Sequence, residues 1–131
     1  MRLTHTSTYA VHALAHLAAA GEGRRVASSD IAKARGIPEG YILKVLKPLV
    51  TARLVRSRKA PFGGFRLAKP ANRITLLEVV EAVEGPVRGE AAAAGSRDPL
   101  DARLQQVCEE VAGLVRRRLG WVRLSDLAGG R

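Results

Sequence analysis

A single cysteine, Cys108, is all that the 131 residues contain. That scarcity excludes an intrachain disulfide and any zinc or iron–sulfur site built from several cysteines of one chain. Nowhere is there a run of about 18 apolar residues, the length a membrane-crossing helix needs. The first residues lack the basic, apolar, small order of a secretion signal. No helix pairs a basic face with a Trp/Phe/Leu-rich one, as attachment to a membrane surface would require. The expectation is a cytoplasmic protein with no membrane contact. Catalytic signatures are missing too. G-x-S-x-G, P-loop and paired-cysteine motifs are absent, and Gly21-Glu22-Gly23 lacks a third glycine at the required spacing. The chain reads as a non-enzyme.

Acid is scarce in one half only. The chain carries 22 Lys+Arg against 12 Asp+Glu, a net +10; residues 1–73 hold 14 basic and 3 acidic residues, residues 74–131 hold 8 and 9. A general bias toward arginine would spread along the chain. Charge gathered in one half instead favours a polyanion-binding N-terminal domain and a neutral C-terminal part with another task.

What is present is organised around Pro38 to Ala52. Ile42, Val45, Leu46 and Leu49 recur at i, i+3, i+4 and i+7 and form one helical stripe for a core. Lys44 and Lys47 lie off that stripe, with Glu39, Gly40 and Tyr41 in the expected first turn after Pro38. Pro48 costs such a helix about 3 kcal/mol or more, so a kink near Lys44 or an early end is expected. Before this helix the pattern predicts one from Ser7 to Ala20, with Tyr9, Ala10, Ala13, Leu14 and Leu17 inward, then a short strand Arg24-Arg25-Val26. A second helix follows, capped by Ser28 or Ser29 and stopped by Gly36. Helix, turn, helix is the arrangement of a major-groove reader.

Leu54–Arg58 and Phe65–Ala68 alternate as two strands around the turn Lys59–Gly64. From Lys44 to Lys69 there are eight basic residues and no acid. A basic hairpin after a helix-turn-helix makes a winged helix, and its tip glycines allow close approach to a narrow groove. Thr75 and Glu78 form a capping box for a helix ended by Gly85-Pro86. VRGEAAAAGSRD, residues 87–98, has no pattern and reads as a flexible linker. Asp98 then caps a helix, with Pro99 in its first turn, that ends at Gly120. Leu100, Leu104, Val107, Val111 and Leu114 are spaced 4, 3, 4, 3 along it, the repeat of a helix–helix seam. Packing against a second copy is the favoured use of that seam, and packing back on the first helix the alternative.

The fold class expected is mainly α with a small β wing (α+β): a winged helix-turn-helix domain over 1–86, a linker over 87–98, and a dimerisation helix with a C-terminal tail over 99–131. MRLTHTSTYAVHALAHLA, DIAKARGIPEGYILKVLKPLVTARLVRS, APFGGFRLAKP, ITLLEVVEAVEGP and RLSDL occur in that order. Together they resemble the iron–sulfur-cluster regulator family of bacterial winged-helix transcription factors, the IscR, NsrR and CymR type. The resemblance implies a homodimeric regulator, expected to be a repressor. The helix around Tyr41 to Lys47 would enter the major groove of double-stranded DNA, the hairpin tip would touch the minor groove, and the helix from Pro99 would make the dimer.

The departures matter as much. Cluster-binding relatives carry three cysteines in the loop after E-G-P, where this chain has none, and Cys108 falls outside those positions. No iron–sulfur cofactor is therefore expected. Lys59, Ala60 and Phe62 replace the usual arginine and glycines of the wing. Leu43 and Lys44 stand where acidic or amide side chains are common, so the target sequence should differ from the best-known one. The residues assigned to DNA are Ser28, Glu39, Gly40, Tyr41, Lys44, Lys47, Arg56, Arg58, Lys59, Gly63 and Gly64. No metal site is assigned. His12 and His16 share a helical face, and His12 with Cys108 across a dimer is the candidate for a metal, cofactor or redox sensor responding to an unidentified effector. A winged-helix adaptor for protein or RNA is the third reading.

Overall fold

The computed structural model describes residues 1–92 and 98–128. In order they form α1 (His5–Ala20), α2 (Ser28–Arg35), α3 (Ile42–Thr51), β1 (Val55–Arg58), β2 (Gly64–Leu67), a 3-10 turn (Ala71–Arg73), α4 (Leu76–Glu84), α5 (Pro99–Trp121) and α6 (Leu124–Ala128). The two strands pair antiparallel, and the fold is the winged helix expected from the pattern.

Several boundaries differ from the sequence pattern, each for a physical reason. α1 starts at His5 rather than Ser7, because the Thr4 side chain accepts the Ser7 N–H at 3.1 Å. Ser7 is fully buried instead, and its hydroxyl donates to Glu84 Oε2 at 2.8 Å, tying the start of α1 to the end of α4. Neither Ser28 nor Ser29 caps α2. A bridge between Val26 and Phe65 holds the chain extended up to Ala27, which takes the capping position without a side-chain acceptor, and Ser28 is already helical. Gly36 stops α2 in the left-handed conformation (φ 64), as expected.

α3 begins only at Ile42. The Pro38 carbonyl accepts the N–H groups of Tyr41 and Ile42 at 2.8 and 3.2 Å, so Glu39, Gly40 and Tyr41 form a separate turn ahead of the helix. Nor does Pro48 end the helix, which runs on to Thr51. It sits near the C-terminal end, where its missing N–H removes one bond to Lys44, and buried Leu46 and Leu49 hold the turn on both sides. Past the end, Arg53 takes a left-handed φ of 62 and Leu54 N–H reaches back to the Leu49 carbonyl at 2.9 Å, the pairing of a Schellman cap.

The core lies where α1 crosses α3 and α4: Leu14 and Leu17, then Val45, Leu46 and Leu49, then Val79, closed by Ile31, Leu54, Val55 and Ile74. α6 joins it. Leu76 N–H donates to the Val122 carbonyl and Leu124 N–H to that of Ile74, each at 2.8 Å, which lays the end of the chain beside the start of α4 and buries Leu124. Through Leu124, α6 is therefore part of the N-terminal unit's core.

Asp98 accepts the Leu100 N–H at 2.9 Å and starts α5, which passes through Gly120 to Trp121. The segment after α4 is not loose over its described part. Gln105 donates to the Gly89 carbonyl at 2.7 Å and accepts from Ala91 N–H at 2.9 Å, and Arg116 donates to the Val87 carbonyl at 2.6 Å. Residues 87–91 thus lie along α5, whose side chains bond three of the segment's backbone groups, while Glu81 of α4 accepts the Val87 N–H at 2.9 Å. Residues 93–97 of the expected linker lie outside the described residues.

The capping box at Thr75 is complete: its hydroxyl accepts the Glu78 N–H, and Glu78 Oε1 accepts the Thr75 N–H, both at 3.1 Å. Lys69 Nζ adds an ion pair to Glu78 Oε2 at 2.7 Å. Burial pushes the Glu78 carboxyl up. The bonds from Lys69 and from the Thr75 backbone and hydroxyl, with the Lys69 charge, outweigh it and hold the group below its ordinary value. A lowered folded value means stability that is present above the ordinary 4.5 and lost as pH falls through the folded value. In urea unfolding, Thr75→Ala should cost about 1 kcal/mol at pH 7. The deficit of Glu78→Gln relative to wild type should be full at pH 7 and shrink as the solution is acidified below 4.5.

Candidate nucleic-acid interface

α3 is anchored by its stripe and leaves its other face to solvent. Ile42, Val45, Leu46 and Leu49 are buried, while Leu43, Lys44 and Lys47 are exposed. The turn before it is pinned from α1. Tyr41 shares a hydrogen bond with the Thr6 hydroxyl, and its ring meets Tyr9 edge-on at 5.9 Å between centroids. Lys44 Nζ sits 5.9 Å from the Tyr41 ring centroid, within range of a cation–π contact. Tyr41 therefore positions the turn and Lys44, while Glu39 and Gly40 in the same turn are exposed. Ser28, half-buried, is the first residue of α2.

In the wing, Val55 opposes Leu67, Arg56 opposes Arg66, Ser57 opposes Phe65 and Arg58 opposes Gly64. Residues directly opposite share a face. One face of the hairpin is therefore Val55, Ser57, Phe65 and Leu67, and the other is Arg56, Arg58 and Arg66. Val26 bridges Phe65 and extends the sheet by a third segment. Its neighbour Arg25 falls among the arginines: desolvation, then the charges of Arg66, Arg58 and Arg56, lower its guanidinium from the ordinary value. Arg25 Nη1 and Arg66 Nε are buried and find no hydrogen-bond partner among the described residues. Four like charges on one sheet face repel one another unless an anion lies against them.

Acid does little to relieve this. Of the eight cations from Lys44 to Lys69, Lys69 is taken by Glu78, and none of the other seven forms an ion pair among the described residues. The tip glycines serve the wing's own packing. A side chain at Gly63 would strike the Arg58 carbonyl and the Lys59 backbone, and Gly64 (φ 127) lies where a Cβ would come within 2.8 Å of the Val26 carbonyl oxygen. Lys59 and Phe62 project at the tip. An open cleft of about 390 Å³ lies between the end of α1 and the base of the wing, lined among others by Leu17, Arg56, Arg66, Lys69 and Pro70.

The C-terminal seam is bare. Leu100, Leu104, Val107, Val111 and Leu114 are 48–60 % exposed, and Trp121, one heptad beyond Leu114, continues the stripe in solvent. α5 turns Ala112 and Leu119 toward α4 instead, so the seam does not pack on α1. His12 is exposed and His16 half-buried on α1, Cys108 is half-buried on α5, and the described residues contain no group of three metal-ligating side chains.

The sequence pattern left Thr6, Arg25, Arg66 and Trp121 outside the assigned residues, although Arg66 belongs to the basic run. Arg25 was legible as a neighbour of Val26 in a short strand, but the strand's partner was not.

Known proteins share both the sequence and the shape. Rv1287 of Mycobacterium tuberculosis (strain ATCC 25618 / H37Rv), named as an HTH-type transcriptional regulator, is 39% identical over 87 residues, 66% of this chain and 54% of that protein. Protein aau3 of Rhizobium meliloti is 43% identical over 84 residues, 64% of this chain and 54% of its own length. The chain thus spans about half the length of the curated relatives it matches. CymR of B. subtilis, described as the global cysteine regulator, superposes with a TM-score of 0.79 at 22% identity, covering 100% of this chain and 98% of that one. IscR of T. potens gives 0.76 at 22%, covering 98% and 87%. Likeness at this identity establishes the fold alone. The helix-turn-helix, the wing and the C-terminal helix all fall within residues 3–130, which match the model of the Rrf2 family, described as iron-dependent transcriptional regulators; the chain belongs to that family, one of regulators and not of enzymes.

Proposed function

We propose that the chain acts as a homodimer that binds double-stranded DNA and represses transcription by covering the sites it occupies. The observation that carries this is the cationic surface of α3 and the wing: Lys44, Lys47, Arg56, Arg58 and Lys59 are exposed, and acid neutralises none of them among the described residues. In this reading Lys44, with Glu39 and Gly40 beside it, faces base edges. Lys47 and Ser28 meet phosphates, Arg56, Arg58 and Lys59 hold the wing to the backbone, and Gly63 and Gly64 shape its tip. Tyr41 acts through the turn and Lys44 that it positions. The bare seam on α5 supplies the dimer, which would present two copies of α3 to successive major grooves.

The family is described as iron-dependent, and the donor set does not fit a cysteine-held cluster. One cysteine per chain supplies two per dimer, and the described residues hold no cluster of ligands within a protomer. The dimer is accordingly assigned a function without an iron–sulfur cluster, in which His12 and Cys108 are ordinary surface and interface side chains.

One preparation tests both points. Isolated without air, the dimer should be colourless and iron-free, and should select from a random duplex pool a two-fold symmetric site with half-sites about 10 base pairs apart. A brown, iron-bearing protein would overturn the second assignment. Equal binding to single strands, or failure to enrich any duplex at low salt, would overturn the first in favour of an adaptor.

A further inference from the structure

We propose that Phe62 is a wedge: its ring enters the minor groove, unstacks one base step and bends the duplex away from the wing. The inference rests on the DNA-binding reading above and adds a role for a side chain which that reading leaves unused.

Three observations carry it. Phe62 is 93 % exposed, and no large apolar side chain among the described residues is more so. A phenylalanine placed by packing alone would turn inward, as Phe65 three residues later does by packing against the core. Second, Phe62 holds a φ of 61, the left-handed region that bulky L-residues rarely occupy. Glycine would take that conformation without strain, so the tip carries an aromatic ring at a position where the backbone favours its absence. Third, the ring shares its loop with charges. Arg58 and Lys59 are exposed just before it, and the close packing of Gly63 on the Arg58 and Lys59 backbone fixes the loop that carries them together.

An apolar ring in one loop with unpaired cations matches a surface that alternates phosphate with stacked bases. Minor-groove proteins use Phe, Leu, Ile and Met side chains in this way, unstacking a step to gain a bent duplex that wraps more protein. The cations hold nearby phosphates while the ring replaces part of the lost stacking. Apolar protein grooves would accept the ring but leave the charges desolvated and unpaired.

The experiment uses the 131-residue chain and the duplex it selects, labelled at both ends for fluorescence energy transfer and carrying 2-aminopurine at steps opposite the wing. Phe62→Asn suits the left-handed backbone and removes the ring; Phe62→Leu keeps an apolar wedge. Wild type should bend the duplex and raise 2-aminopurine emission at one step. Phe62→Asn should lose the bend and the emission, with affinity down about tenfold and a melting temperature no lower than wild type. Phe62→Leu should keep most of the bend. A wild-type complex that is straight, or a Phe62→Asn complex as bent as wild type, overturns the wedge and leaves DNA binding standing. A lower melting temperature for Phe62→Asn makes Phe62 a structural residue and also overturns it. Failure of wild type to bind any duplex removes the DNA-binding reading itself.

Discussion

A chain carrying Val107→Asp and Val111→Asp should sediment as a folded monomer and lose about a thousandfold in affinity for its selected site. Both valines are half-exposed on α5 and are not among the residues, Ala112 and Leu119, that α5 buries within its own chain. The substitutions should therefore leave the protomer's melting transition close to wild type. Burying the remaining half of a Val or Leu side chain contributes about 1 kcal/mol. Association costs roughly 4–15 kcal/mol in lost freedom. Five seam residues from each of two protomers, with Trp121 at the end of the stripe, are needed to outweigh that cost. Four carboxylates placed in the seam cost several kcal/mol each to desolvate, more than such a margin survives. A monomer engages one half-site, and specific binding falls toward the non-specific level, 10³ or more weaker at about physiological salt. Trp121 is the only tryptophan, so its emission is expected to follow the change directly, blue-shifted in wild type and red-shifted in the variant. A variant that still sediments as a dimer would place the interface elsewhere on the surface.

Lys44→Ala and Lys59→Ala should both weaken binding, yet in ways that separate reading from holding. Lys44 projects from the first turn of α3 and is steadied by the Tyr41 ring 5.9 Å away. Its loss should change the ranking of selected sequences, with discrimination at one base pair per half-site falling by about 1–3 kcal/mol. Lys59 lies at the wing tip, and its loss should weaken all sequences alike. Because each phosphate contact contributes about 0.9 to the slope of log affinity against log salt, losing one contact from each protomer should flatten that slope by about 1.8. Titrations at several salt concentrations with two competing duplexes measure both quantities. If Lys44→Ala lowers affinity evenly across sequences, Lys44 touches phosphate and the base contacts belong to other residues.

Much of this architecture was legible because its signals are local. The 3.6-residue period of Ile42, Val45, Leu46 and Leu49 predicted which face of α3 is buried, and all four are. T-x-x-E at Thr75 predicted a capping box, and both of its bonds form. Alternation in the hairpin predicted that Val55 and Ser57 share a face, as the register shows. Local signals failed where another part of the chain competed for the same group. Ser28 resembles a cap, but the Val26–Phe65 bridge sets where α2 begins. Ser7 resembles a helix start, but Glu84, 77 residues away, takes its hydroxyl. Lys69 counts toward the basic run, yet Glu78 holds it.

By itself, the sequence determined the fold class, the uneven charge, the apolar seam and the want of cysteines, because period, composition and capping depend on residues within a turn or two of one another. Only the tertiary structure decided which cations stand together. Arg25 joins Arg56, Arg58 and Arg66 because strand pairing brings a segment from before α2 against β2, and pairing register is a property of two distant segments at once. It also decided that the seam on α5 stays bare. α5 turns a different face to α4, and no described element of the same chain covers the seam.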